Sequence, residues 1–419
     1  MSNCGLDFGT SNTTLGVIAA DGPVLLELEA GHVTIPSAIF YARDGATLIG
    51  RTAIEAYVDG APGRLMRSLK SVLGTSLIDE STRVGRERAS FRDVIAWYLR
   101  AVKRRAETAS GRELRNVVHG RPVHFVDNAP DADRKAEGTL QAIAREIGFD
   151  EVTFQFEPIA AALDYERQIS SEEIAVIADI GGGTSDFSVV RLSPDRHTSA
   201  DRSSDILAND GVRIGGTDFD RQLSLGVVMP LLGYRSAMKR AGLDVPSSYF
   251  HDLATWSSIN RLYENRVMSD VRQVRFDAAQ PELLDRLLRV LSEQRGHTLA
   301  MDVEEAKISL SDARRATVPL DWVEPGLEAT IARADLVGHT QSLADRIGAR
   351  IAACLLQAGL SADAIDAVFL TGGSVQLAHV RKAIAKAVPA ARMIDGDTFG
   401  AVGKGLTIEA LRRYGPARA

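Results

Sequence analysis

The chain has 419 residues, more than one core usually serves, so two or more domains are expected. Hydrophobic residues make up 45% and charged residues 25%, an ordinary globular balance, and the net charge of -6 argues against a general nucleic-acid binder. Two cysteines, Cys4 and Cys354, give neither a disulfide framework nor metal-ligand spacing. No secretory-type leader and no apolar run of membrane-spanning length is visible, so a cytoplasmic protein without a membrane partner is expected.

Residues 4–40 read as several strands. The first is the apolar run Cys4-Gly5-Leu6-Asp7-Phe8, followed by the turn Gly9-Thr10-Ser11-Asn12 and a second run at Leu15-Gly16-Val17-Ile18. The stretch 53–108 is more charged and reads as helical. Within it Arg64, Arg67 and Lys70 recur every third residue, as either a phosphate-facing basic face or a solvated stripe. Asn116-Val117-Val118 and Pro122-Val123-His124-Phe125-Val126 read as buried strands. Leu140, Ile143, Ala144 and Ile147 predict a helix over 132–147, stopped by Gly148. Val152–Phe156 is a strand, and Pro158 opens the next helix. Glu157 at that start either caps the helix dipole or orients water or Mg2+. Ser170–Glu173 is a polar hinge candidate.

The opening pattern then repeats. Val176-Ile177-Ala178-Asp179-Ile180 runs into Gly181-Gly182-Gly183-Thr184-Ser185-Asp186, and Phe187-Ser188-Val189-Val190 follows. Residues 218–333 read as mostly helical, with Leu284, Leu287, Leu288 and Leu291 as a core stripe. On a helix over 302–311, Glu304, Lys307 and Ser311 share one face, addressing either a ribose and base or solvent. Leu343, Ile347 and Ile351 mark a further helix closed by Gly359. The strand Ala367–Thr371 ends in Gly372-Gly373-Ser374, the kind of strand end where ligands approach the backbone.

The duplicated Asp-turn unit carries the functional reading. Glycines let each turn bend sharply and leave room for a large anion. Turn N–H groups and hydroxyls cradle phosphate. An aspartate entering such a turn would hold Mg2+ through water, as this ion prefers. Two such turns face to face would clamp one nucleotide phosphate tail between two lobes.

These residues resemble the ATPase domain of DnaK-type heat-shock chaperones, in the actin and sugar-kinase superfamily, over nearly the whole chain. The two turns are similar to that family's phosphate loops. Ser68–Gly74 resembles its catalytic-lysine segment, Glu157–Ala162 its first connecting helix, and Gly215–Asp220 its entry into the upper part of lobe II. Glu304–Ser311 and Leu370–Ser374 resemble its adenosine-contacting helix and loop. Gly120-Arg121-Pro122-Val123 and Phe154–Pro158 are closest to a YegD-like branch. The resemblance implies an α/β, actin-like bilobal fold of duplicated ribonuclease H-like domains, with a helical subdomain inserted in each lobe. Lobe I would be 1–172 plus 397–419, and lobe II 173–396, with 218–333 as its upper part.

It also implies ATP or ADP as ligand and Mg2+ as metal. Asp7, Asp179 and Asp186 would hold the ion, mainly through water. Lys70, Glu157, Asp179 and Thr184 would be catalytic. Gly9, Thr10, Ser11 and Asn12, with Gly181, Gly182, Gly183 and Thr184, would hold phosphates. Gly215, Gly216, Glu304, Lys307, Ser311, Gly372, Gly373, Ser374 and Asp397 would complete the nucleotide site. The sequence departs from the family at Ile159, where a threonine is usual, and in a longer Asp127–Asp133 segment. The family's linker and peptide-binding domain have no counterpart before Ala419. The expectation is a slow Mg-dependent ATPase acting without its own peptide-binding domain, through a nucleotide-dependent protein partner or co-chaperone. A small-molecule kinase and an actin-like nucleotide-gated scaffold are the alternatives.

Overall fold

A computed structural model describes residues 3–20, 22–84, 87–126, 129–196, 199, 201–396 and 400–415. Its frame is two sheets built alike. In the first, Asn3–Phe8 runs antiparallel to Asn12–Ala19, which runs antiparallel to Gly22–Leu25. On the other side Asn3–Phe8 is parallel to Asn116–Arg121, which is parallel to Glu151–Phe156. In the second, Glu173–Ile180 runs antiparallel to Ser185–Leu192, and that strand antiparallel to Ile206–Val212. Glu173–Ile180 is parallel to Ala367–Thr371, which is parallel to Arg392–Asp395. The repeat seen in two turns therefore extends to two five-strand patterns of the same order.

Both leading strands are almost wholly buried and apolar, as parallel-paired central strands must be. Each sheet packs on its own helices. Phe91–Ser110 lays Val94, Ile95, Tyr98, Leu99 and Val102 under the first sheet. It starts at Ser90, whose hydroxyl accepts the Asp93 N–H at 3.1 Å while Asp93 accepts the Ser90 N–H at 3.0 Å. Arg333–Gln357 buries Leu343, Ile347 and Ile351 under the second sheet. The helix Ala401–Tyr414 returns to the N-terminal sheet. Its Leu406 and Ala410 pack with Val118 and with Ala160 of the helix Glu157–Glu166. That contact places Glu157 beside the first strand.

Two expectations change. The stretch 53–108 is not one helical region. After the helix Arg51–Val58 come the strand Gly63–Arg67, 3-10 turns at Leu69–Val72 and Ser76–Asp79, and the strands Ser81–Val84 and Glu87–Ser90. Pro62-Gly63 breaks the helical run, and Gly63–Arg67 instead pairs with Ala38–Ala42. Arg64, Arg67 and Lys70 therefore share no helical face. Pro122–Val126 is not a strand either. Pro122 offers no N–H for pairing, and the Phe125 N–H is taken by Asp133 at 2.5 Å, which folds the segment back on the helix Pro130–Glu146. Residues 218–333 are mostly helical, as expected, interrupted by a non-helical stretch over 233–247 and by the hairpin Arg315–Pro319 with Glu328–Ala332.

Candidate active site

The two Asp-turns close with the same hydrogen bond. Gly9 N donates to Asn12 O, and Gly181 N to Thr184 O, both at 2.9 Å. The turns meet tip to tip: the Ser11 hydroxyl lies 2.6 Å from where a Cβ on Gly182 would stand. Among the described residues, no backbone hydrogen bond uses the N–H groups of Thr10, Ser11, Gly182, Gly183 or Thr184. Thr10, Gly183, Thr184 and Asp186 are exposed, and the Thr184 hydroxyl donates to Asp186 at 3.0 Å. The pair of turns thus presents unused donors to one space, as an anion cradle must.

Below the turns lies an acidic cluster with one cation. Lys70 Nζ donates to Glu157 Oε1 at 2.5 Å, with the two side chains 10% and 19% exposed. The left-handed backbone at Ser68, φ 57°, turns the chain from the Gly63–Arg67 strand into the short helix that bears Lys70. Burial pushes the Asp7 carboxyl up to about 7; Glu157 and Asp179 add to this and Lys70 opposes it. Burial likewise pushes Asp179 up to about 7, with Asp186 and Glu157 adding. Burial pulls the Lys70 ammonium down, but Glu157, Asp7 and Asp179 outweigh it and hold its pKa above the ordinary value. Asp7, Glu157, Asp179 and Lys70 therefore sit within one electrostatic neighbourhood, although they come from four separate stretches of chain.

Such crowded carboxylates suit a divalent cation, whose charge would favour their ionised forms. Among the described residues, no group of three or more histidine, cysteine or carboxylate side chains is arranged to grip an ion directly. Asp7, Asp179 and Asp186 fit a hydrated Mg2+ held through its waters.

The second turn is braced from behind by two glycine loops. A Cβ on Gly215 would stand 2.4 Å from Gly183 N, so only glycine permits this approach. Gly216 N donates to Gly181 O at 2.9 Å, and Thr217 N to Gly182 O at 2.8 Å. Gly372 sits at φ 82°, and a Cβ there would stand 2.3 Å from Ile180 O. Gly373 and Ser374 follow in a 3-10 turn. Lys307 Nζ reaches Gly216 O at 3.2 Å and Asp220 at 2.8 Å, and a Cβ on Gly216 would stand 3.2 Å from the Ser374 hydroxyl. Gly215, Gly216, Lys307, Gly372, Gly373 and Ser374 thus lie against the second turn or each other. Ser311 does not extend the helical face of Glu304 and Lys307: the helix Gly296–Ser309 ends before it, and its carbonyl accepts from Arg333 at 3.1 Å. Glu304 is exposed and acts electrostatically on both Asp220 and Arg67. Asp397 lies outside the described residues.

Sequence reading missed several residues. Burial pushes Asp220, the partner of Lys307, up to about 6. His119 is fully buried, burial pushes its imidazole down to about 4, and the Lys70 charge adds to this. A further group joins the N-terminal part to the helical region. The Tyr57 hydroxyl lies 3.2 Å from His297 Nε2 and accepts from Asn260 at 2.5 Å. His297 Nε2 also lies 3.2 Å from Trp256 O, and the Arg67 guanidinium stacks over Trp256 at 4.9 Å. No sequence spacing links Tyr57 with Trp256, Asn260 and His297, so only the fold brings them together.

Comparison with known proteins agrees with this architecture. A family model described as Hsp70 protein matches residues 3–229 and 290–411. Among curated relatives, a chaperone protein HscA homolog of Laribacter hongkongensis is 28% identical, over 97% of this chain and 58% of the relative. Chaperone protein DnaK of Halobacterium salinarum is 27% identical, over 90% of this chain and 50% of the relative. A chaperone protein HscA homolog of Chromobacterium violaceum is 25% identical, over 97% and 57%. The chain spans about half the length of the curated relatives it matches. No helix among the described residues is long and apolar enough to cross a membrane. With both Asp-turns, Lys70, Glu157, Lys307 and Gly372 inside the matched spans and two like sheets carrying them, the chain belongs to the Hsp70 protein family and has its actin-like α/β fold.

Proposed function

We propose that this protein binds ATP and ADP with Mg2+ between its two Asp-turns and hydrolyses ATP slowly, as a chaperone-type ATPase. The observation that carries this reading is the meeting of Ser11 with Gly182 above Asp7, Asp179, Glu157 and Lys70. The N–H groups of Thr10 and Ser11 take the phosphates from one side, and those of Gly182, Gly183 and Thr184 from the other. Asp7, Asp179 and Asp186 hold the waters of the ion, which supplies positive charge to the phosphate oxygens. Lys70, fixed by Glu157, places its ammonium where negative charge develops on the transferring phosphoryl group. Glu157 and the Thr184 hydroxyl orient the attacking water. Gly215, Gly216, Lys307, Gly372, Gly373 and Ser374 enclose the adenosine side.

The first sheet with the C-terminal helix forms one lobe and the second sheet with the helical region the other, with boundaries near 172 and 396. Nucleotide touching both lobes favours the closed cleft by its differential affinity for that state. A protein partner that grips one arrangement then binds in a nucleotide-dependent way, and by reciprocity shifts nucleotide affinity by the same factor. The test is a thermal-shift titration with Mg-ATP, Mg-ADP and chelator, paired with phosphate release. Saturable stabilisation by Mg-nucleotide with slow turnover is the expected result. Stabilisation that ignores chelation, or no stabilisation at all, overturns the reading.

A further inference from the structure

A second cavity, of ≈ 830 Å³, opens away from the Asp-turns, between the hairpin that joins Ala38–Ala42 to Thr47–Ile49 and the helix Phe91–Ser110. That volume is in the range of small-molecule sites. One wall is a helical stripe, Trp97, Arg100 and Arg104, spaced i, i+3, i+7. The other is the hairpin, with Tyr41 at its base and Arg43 at its turn.

The wall chemistry is specific. Tyr41 is 7% exposed, and its enclosed hydroxyl has no hydrogen-bond partner. A buried donor left unsatisfied is costly, and an acceptor entering the cavity would relieve that cost. The Trp97 ring is 37% exposed and meets Tyr41 edge to face at 6.0 Å, which leaves an apolar surface open for stacking. Arg100 is already held by Glu146 at 3.1 Å. Among the described residues, neither Arg43 nor Arg104 forms an ion pair with a carboxylate. Among the described residues, the one carboxylate in the wall is Asp44, which accepts the Ala46 N–H at 2.9 Å. The cavity thus combines one open aromatic surface, two guanidinium groups outside any ion pair, of which Arg104 also acts on the Glu107 charge, and one unsatisfied hydroxyl.

We propose that this cavity binds a small planar aromatic anion, an aromatic ring bearing a phosphate or a carboxylate. The ring lies on Trp97, the anionic group faces Arg43 and Arg104, whose fork geometry suits such oxygens, and Tyr41 donates to an oxygen of the ligand. The site is separate from the cleft between the Asp-turns.

Calorimetric titration of phenyl phosphate into the full chain tests this, with excess Mg-ADP present throughout to occupy the nucleotide cleft. Benzoate, inorganic phosphate and phenol are titrated in parallel. Saturable binding of phenyl phosphate or benzoate is expected, with inorganic phosphate and phenol each weaker. The double variant Arg43→Gln/Arg104→Gln should weaken binding by ~10-fold or more, the loss of at least one charge-assisted hydrogen bond. Trp97→Leu should weaken it as well, while both variants keep the parent's melting temperature and nucleotide response. No saturable binding of either aromatic anion to the parent chain overturns the proposal. So does an unchanged isotherm in the double variant.

Discussion

Ser11 and Gly182 face each other although they belong to turns of two different sheets: the Ser11 hydroxyl occupies the space a Gly182 side chain would need, 2.6 Å from its Cβ position. The consequence is a graded response to adding one carbon. At Gly182 the obstacle is the end of a rotatable side chain, whereas at Gly215 it is the Gly183 backbone at 2.4 Å. Gly182→Ala should therefore be tolerated in stability and improved by Ser11→Ala. Gly215→Ala should cost about 1–3 kcal/mol, the usual price of overpacking, and weaken nucleotide binding. Denaturant unfolding and nucleotide titration of the three variants check this, and an equal cost at both glycines contradicts it.

Asp179→Asn should show two opposite effects. The Asp179 pKa is raised to about 7, so its contribution to stability is complete below the ordinary carboxylate value and is lost as pH rises through about 7. The neutral asparagine carries no such loss, so without nucleotide the variant should be the more stable protein at pH 8. It should also lose most of the Mg2+ dependence of its nucleotide-induced thermal shift. A variant less stable than the parent at pH 8 without nucleotide, or one with full Mg2+ dependence, contradicts the assignment.

The frame of this site was legible because it is written locally. Each strand-turn-strand unit is one continuous stretch, Asn3–Ala19 or Glu173–Leu192, and Asp7 and Asp179 enter the turns as the sequence pattern indicates. The strand Ala367–Thr371 and its paired glycines were equally local. What failed was periodicity read across chain breaks. Arg64, Arg67 and Lys70 have regular spacing, but Pro62-Gly63 starts a strand and Ser68 adds a left-handed turn. The helix bearing Lys307 stops before Ser311, so shared helical phase did not carry over to the last residue. Pairs such as Lys70 with Glu157, or Tyr57 with His297, depend on tertiary closure and leave no spacing to read.

Lys70→Ala should lower turnover by roughly 10²-fold or more, with a smaller change in nucleotide affinity, because its charge matters most in the transition state. Among the described residues, the substitution also removes the one cation acting on both Asp7 and Asp179. Lys70→Arg keeps that charge and should restore stability ahead of turnover, since a guanidinium places its charge differently. Single-turnover hydrolysis with parallel binding measurements separates the two, and parent-like turnover in Lys70→Ala would reduce this residue to a structural ion-pair partner of Glu157.

The Tyr57, Asn260, Trp256 and His297 group should act as a pH-sensitive clasp between the N-terminal part and the helical region. Burial pushes His297 down to about 4, with the Arg67 charge adding, against an ordinary histidine value of 6.5. A depressed pKa gives stability that is present above the ordinary value and lost as pH falls through the folded one. The neutral ring therefore supports the clasp at pH 7.5, and that support drains away between 6.5 and about 4. His119 has the same sign, so the informative quantity is the difference between parent and His297→Gln. That difference in melting temperature should be largest near pH 7.5 and shrink towards pH 4.5. Tyr57→Ala removes the hydroxyl shared by His297 and Asn260 together with the ring that packs on His297 and Trp256, and at pH 7.5 it should speed ADP release by several-fold or more, since each lost hydrogen bond is worth ~1 kcal/mol. Stopped-flow release of a fluorescent ADP analogue measures this. Release rates equal in parent and Tyr57→Ala, or a stability gap that widens as pH falls, would rule the clasp out.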